Sequence, residues 1–199
     1  MFKQLFNFIF SFIGIILSSP ILLIIAIIIK LDSGGPVFYR GVRVGKRGKL
    51  FRPYKFRTMV DGAEKLGGST TADDDPRITK VGKFLRKYKI DELPQLINIL
   101  KGEMSFVGPR PELEEHTRLY NEEEKIILNV LPGLTDYSSM KFISLHKVVG
   151  KNNADESFAK YIRPEKNRLR VLYTKNHSFL GDCKIIIQTI LAIFKKIKK

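Results

Sequence analysis

The sequence predicts a mostly α chain with a small β element (α+β), in which an N-terminal membrane helix and amphipathic interfacial helices carry a charged body. Three observations point there. Residues 1–29 hold a single charge, Lys3, whereas every other Lys, Arg, Asp and Glu lies in residues 30–199. Near the C-terminus, Ile187, Ile190, Leu191 and Phe194 recur at helical spacing, extended by Ile186 and Ile197, beside Lys195, Lys196, Lys198 and Lys199. A basic amphipathic end of this kind suits a membrane interface. Between these ends the strand-like pieces are short and separated by glycines.

Phe8 to Ile29 is a run of 22 residues without a charge, about 33 Å as a helix and long enough to cross a bilayer. A cleaved signal peptide is disfavoured, because the run exceeds an h-region and its small-residue step, Ser18-Ser19, leads into Pro20. Pro20 removes a backbone donor in mid-run and crowds the preceding turn. A straight spanning course and a re-entrant course that turns back at Ser19-Pro20 fit these residues equally. Lys30, Arg40, Arg43, Lys46 and Arg47 follow the run and place the body on the cytoplasmic side. Residues 1–30 are therefore the membrane segment, and 31–199 one membrane-associated body without internal repeats.

In the body, Val37-Phe38-Tyr39 and Phe51 to Phe56 read as strands, with Gly41, Gly45 and Gly48 at turns. Asp61 to Pro76 is a polar loop, and its Asp73-Asp74-Asp75 run is more simply solvated than metal-binding. Val81 to Tyr88 is a short basic helix. Ile90 to Leu100 forms the next, with Asp91 as cap, Pro94 in the first turn and Gly102 past the end. Glu112 to Val130 and Asn152 to Tyr173 give two more helical stretches, Pro164 marking a boundary in the second.

The chain has 199 residues with 35 Lys and Arg against 20 Asp and Glu, a formal charge of +15. Nucleic acid, anionic lipid and a phosphorylated substrate would each explain that excess. The absence of Trp, of an RNP-like aromatic string and of Cys/His finger spacing argues against nucleic acid. One cysteine, Cys183, excludes an internal disulfide framework and leaves a zinc site short of thiolates. His116, His146 and His177 are scattered, and no role is assigned to them.

Helix capping alone would explain Asp91 and Glu92. Their setting suggests more. Two carboxylates at a helix N-terminus repel a phosphate unless a cation such as Mg²⁺ mediates. Lys55, Arg57, Arg86 and Arg110 are the candidates to hold phosphate oxygens, with Pro109 and Pro111 limiting where Arg110 can go. The competing class is a basic scaffold that binds anionic lipid or nucleic acid without chemistry. Such a scaffold has no use for paired carboxylates among its cations.

Six ordered motifs carry a resemblance. They are Gly35-Pro36-Val37-Phe38-Tyr39-Arg40, Arg43-Val44-Gly45, Tyr54-Lys55-Phe56-Arg57-Thr58-Met59, Asp91-Glu92-Leu93-Pro94-Gln95, Met104-Ser105-Phe106-Val107-Gly108-Pro109-Arg110-Pro111 and Pro132-Gly133-Leu134-Thr135. With the Ser-Pro step in the apolar segment and the stretch from Tyr173 to Asp182, the chain resembles the bacterial sugar transferases, in the minimal form of the monotopic phosphoglycosyl transferases. The resemblance covers nearly the whole chain. It implies transfer of a phospho-sugar from a UDP-sugar to polyprenol phosphate at the cytoplasmic face of the bacterial inner membrane, with UMP released. It further implies a covalent intermediate on Asp91, Glu92 as its partner, Mg²⁺ at both carboxylates, and a re-entrant helix turning at Ser19-Pro20. Two departures stand out. Asn7 lies where the family commonly carries an acid, and Asp136-Tyr137-Ser138-Ser139 replaces a common Gly-Trp-Ala-Gln, leaving the donor sugar open.

Overall fold

A computed structural model describes residues 2–67, 75–142 and 158–197. The chain is mostly helical with small sheets. Its spine is α1 (Phe2–Asp32), the one helix among the described residues long and apolar enough to cross a membrane.

This helix is inside-out relative to a soluble core helix. Its four buried residues are Asn7, Ser11, Ile25 and Ile29, while Phe8, Ile9, Phe10, Ile16, Leu17 and Leu23 are exposed. An apolar surface that extensive suits lipid contact. The polar residues of the N-terminal half face the body instead. Asn7 Nδ2 donates to Ser105 Oγ at 3.0 Å, and its Oδ1 accepts from the Phe106 N–H at 3.4 Å. Lys3 Nζ pairs with Asp182 Oδ2 at 2.6 Å and donates to Tyr173 Oη and the Val107 carbonyl at 2.8 and 2.9 Å.

At Ser19-Pro20 the helix runs through without interruption. Pro20 lacks the N–H that would serve the Ile16 carbonyl. Ser19 Oγ donates to that carbonyl at 2.8 Å, and Ser18 Oγ donates to Gly14 O at 2.6 Å. The serine hydroxyls thus serve carbonyls of the turn before Pro20, and the helical run continues through it. Further on, Ile25 and Ile29 pack with Phe56 and Leu85.

Among the described residues, six short strands form three pairs. Antiparallel β1 (Phe38–Tyr39) and β4 (Lys55–Phe56) align Tyr39 with Lys55, and β2 (Arg43–Val44) pairs β3 (Leu50–Phe51). The single strand expected over Phe51 to Phe56 is therefore two. β5 (Ser105–Val107) and β6 (Gly133–Thr135) pair in parallel. Their approach needs glycines: a Cβ on Gly133 would lie 2.1 Å from Gly108 N.

The basic helix appears as α2 (Lys80–Tyr88), capped by Thr79 Oγ1, which accepts from the Gly82 N–H at 2.9 Å. Asp91 caps nothing. Residues Ile90–Gln95 form a 3₁₀ turn that continues into α3 (Leu96–Leu100), because α2 ends on Lys89 and the chain restarts at once. The long helix expected from Glu112 is also broken, into α4 (Glu114–Thr117) and a 3₁₀ segment, Glu124–Asn129. Asn121 starts the second segment in a capping box: its Oδ1 accepts from the Glu124 N–H, and its N–H donates back to Glu124 Oε2.

After α5 (Tyr137–Lys141), a π-helical turn, Phe158–Ile162, leads into α6 (Arg163–Asn176), with Pro164 in its first turn as the boundary. The start of the stretch from Asn152 lies outside the described residues, as do His146, Asp73, Asp74, Lys198 and Lys199. Asp75 is described, and it is engaged by Arg77 at 2.6 to 3.2 Å. In α7 (Phe179–Ile197) Ile185 is buried and Ile187, Ile190 and Leu191 are exposed.

Candidate active site

Three elements build the acid pair and its surroundings. The 3₁₀ turn after α2 presents Asp91 and Glu92, β4 brings Lys55, and the strap after β5 brings Arg110. Asp91 is 2% exposed, and its Oδ2 pairs with Lys55 Nζ at 2.8 Å. Its other oxygen, Oδ1, is buried with no hydrogen-bond partner. Glu92 is fully engaged. Arg110 grips it in a two-point pair, Nη1 on Oε2 at 2.9 Å and Nη2 on Oε1, and Lys55 Nζ lies 3.4 Å from Oε1.

The electrostatics follow from this pairing. Burial would raise the Glu92 carboxyl, but Arg110 and Lys55 outweigh it and hold Glu92 well below the usual carboxylate range. The Glu92 charge in turn raises Arg110. Burial lowers Arg86 and Lys89, with Asp91 and Glu92, respectively, opposing most strongly.

The structure brings Asp91, Glu92, Lys55 and Arg110 together. Arg86 lies nearby, its Nε donating to Thr58 Oγ1 at 2.8 Å. Arg57 is spent elsewhere. Its guanidinium donates to the Ser33 carbonyl at 2.8 Å and to the Gly34 carbonyl, tying down the exit from α1. Its Nε is buried without a hydrogen-bond partner. Ser19 and Pro20 act within α1 only. Lys89, absent from the residues picked out in the sequence, feels the charges of Glu92, Arg110, Lys55 and Asp91. The signal for it was its place two residues before Asp91.

Two carboxylates are few for a metal, and no three His, Cys, Asp or Glu side chains gather among the described residues. The pair still fits a Mg²⁺ that keeps waters and takes phosphate oxygens as its other ligands, because Asp91 Oδ2 and Glu92 Oε2 each accept one bond and keep a lone pair.

A helix with an exposed apolar surface beside an acid pair in a cationic cradle defines a class: a membrane-helix enzyme that handles anionic substrates. The chain belongs to the bacterial sugar transferase family, whose model matches residues 1–196. It is a transferase. It is 34% identical over 206 residues to the exopolysaccharide production protein ExoY of Sinorhizobium fredii, covering 96% of this chain and 84% of that protein. It is 38% identical over 188 residues to a UDP-N-acetylgalactosamine-undecaprenyl-phosphate N-acetylgalactosaminephosphotransferase of Aeromonas hydrophila, covering 91% and 41%. With the undecaprenyl-phosphate galactose phosphotransferase of Salmonella typhimurium it shares 34% over 209 residues, covering 98% and 40%.

Proposed function

We propose that this protein transfers a phospho-sugar from a UDP-sugar to polyprenol phosphate through a phospho-sugar ester on Asp91, releasing UMP. The product would be a polyprenol-diphosphate sugar that begins a glycan. One observation carries the reading: Asp91 Oδ1 is buried and unpartnered while Oδ2 is fixed by Lys55. A buried acceptor without a partner is costly and calls for a role. In the first half-reaction Oδ1 attacks the sugar-bearing phosphorus, and the bond from that phosphorus to the bridging oxygen breaks, its electron pair leaving on UMP. In the second, an oxygen of polyprenol phosphate attacks the same phosphorus, and the Asp91 carboxylate leaves with the electron pair. Lys55 orients the nucleophile, and Arg110 holds Glu92 ionised beside it. Asp91 and Glu92 would hold Mg²⁺, which when bound offsets the charge of the diphosphate.

The test is a covalent adduct. The full chain in detergent, given radiolabelled UDP-galactose or UDP-N-acetylgalactosamine (the sugars that two relatives' names carry), becomes labelled and loses the label to undecaprenyl phosphate. Asp91→Asn takes up none. Full turnover by Asp91→Asn would remove Asp91 from this role.

The same reading makes the chain monotopic, with its body on the cytoplasmic face. Contacts to the body run the length of α1: Lys3 and Asn7 at one end, Gly14 against Leu96, then Ile25 and Ile29. A helix crossing both leaflets would carry the polar partners of Lys3 into or across the bilayer, at a cost of several kcal/mol or more for each buried charge, on the order seen for ions in apolar media. In a Cys183→Ala background, cysteines replacing Gln4 and Lys46 are expected to react only from the cytoplasm. Periplasmic labelling of the Gln4 position would refute the one-sided course.

A further inference from the structure

We propose that Lys89 is a phosphate-binding residue of this active site, a cation whose charge is left free for the substrate; the proposal rests on the transferase reading above.

The first argument is the backbone. Lys89 has φ 60° and ψ 20°, the left-handed region, where α2 ends and its N–H returns to the Arg86 and Leu85 carbonyls. That position after a helix favours glycine, since a Cβ there crowds the carbonyl. Among the described residues only Arg47 shares such a conformation without being glycine, in an exposed turn of the β2–β3 hairpin. A bulky residue kept where glycine would fit better, two residues before the nucleophile, is an outlier that asks for a function.

The second argument is charge. Lys55 is committed to Asp91 and Glu92, and Arg110 to Glu92, so two cations answer two acids. Nothing in that set remains for an incoming diphosphate. Arg86 gives its Nε to the neutral Thr58 hydroxyl, so among the described residues its charge is unpaired too, but that bond fixes its guanidinium beside Thr58. Lys89 is half-buried, and no acid lies within ion-pair distance of it among the described residues. Yet the groups that act on it electrostatically are the site itself: Glu92, Arg110, Lys55 and Asp91. A flexible ammonium with three donors, uncommitted and two residues from Asp91, is chemically suited to a phosphate oxygen. That oxygen belongs to the donor diphosphate or to the polyprenol phosphate, and the two half-reactions separate them.

The experiment compares Lys89→Gly, Lys89→Met and Lys89→Arg in the full chain. Lys89→Gly relieves the left-handed residue, so its melting temperature is expected to equal or exceed the parent's, which removes misfolding as an explanation. Adduct formation from the UDP-sugar, discharge by undecaprenyl phosphate and UMP affinity are then read separately. Loss of one charge-assisted hydrogen bond predicts roughly a tenfold or greater fall in Lys89→Gly and Lys89→Met, with Lys89→Arg retaining most of the parent value. A fall in adduct formation and UMP affinity assigns the amine to the donor; a fall confined to discharge assigns it to the acceptor. Parent values in all three measurements for both Lys89→Gly and Lys89→Met overturn the proposal. A parent chain that forms no adduct defeats the transferase reading instead, and parent-like affinity of Lys89→Gly for both UMP and undecaprenyl phosphate then overturns the role of Lys89 as well.

Discussion

Two buried charge clusters sit at either end of one strap, Pro109-Arg110-Pro111-Glu112, and they are built to different standards. Behind the strap, Arg170 is 1% exposed and donates to Glu112 Oε1 at 2.6 Å and to Asn167 Oδ1 at 3.3 Å. Glu112 Oε2 meets His116 Nδ1 at 3.2 Å. Asp136 accepts from Ser138 Oγ at 2.8 and 2.9 Å and from the Ser139 N–H at 2.6 Å. Every carboxylate oxygen there has a partner. In front, Glu92 is equally satisfied, but Asp91 Oδ1 is not. Burial and pairing of charge therefore do not mark the reactive cluster, because both have them. The open carboxylate oxygen does, because the unpartnered groups behind the strap, Arg170 Nε and Ser139 Oγ, are a cation's N–H and a neutral hydroxyl.

The contrast predicts opposite costs for removing an arginine from each cluster. Arg170→Met strands Glu112 and leaves Arg170's other acceptors unserved, and breaking a buried pair from one side costs about 3–5 kcal/mol. Arg110→Met leaves Glu92 with Lys55, at a cost nearer 1–3 kcal/mol, while proposed transfer falls by about 100-fold or more as charge stabilisation is lost. Urea unfolding in detergent and UMP release measure the two sides. Equal destabilisation by both substitutions would erase the distinction between a structural network and a working one.

How much of this was readable in the chain depends on whether a feature is local. The apolar α1, the basic α2 and the pairing of Asp91-Glu92 with cations follow from composition and adjacency, and Lys55 and Arg110 do reach the acids. The parallel β5–β6 pair was not legible, since it joins segments far apart through contact between Gly108 and Gly133. Arg57 was readable as a cation near the acids, but not its bonds to the Ser33 and Gly34 carbonyls, which lie on a turn made by another segment. Asp91 looked like a cap because it precedes an apolar run. The cap failed because α2 closes on a left-handed Lys89 and leaves no extended residue between the helices. Lys89 itself was hidden for the same reason: its conformation is set by how two helices meet, and a lysine rarely advertises that.

Acid titration sharpens the comparison further, because it asks whether the clusters differ in pairing strength. Burial would raise both Glu92 and Glu112 above the ordinary 4.5, but Arg110 and Lys55 in one case, and Arg170 with the His116 hydrogen bond in the other, pull them well below it. A carboxyl depressed by folding adds stability that is complete above its unfolded pKa and is lost as pH falls through the folded one. Stability should accordingly decline once pH drops below about 4.5 and continue downward, each glutamate contributing on the order of 2 kcal/mol. Glu92→Gln and Glu112→Gln are each less stable than the parent at pH 7, yet each flattens the acid limb of a Tm-against-pH curve by a similar amount. If only Glu112→Gln flattens it, the front pair is the weaker one, and loose pairing rather than one open oxygen would be what separates the site from the network behind it.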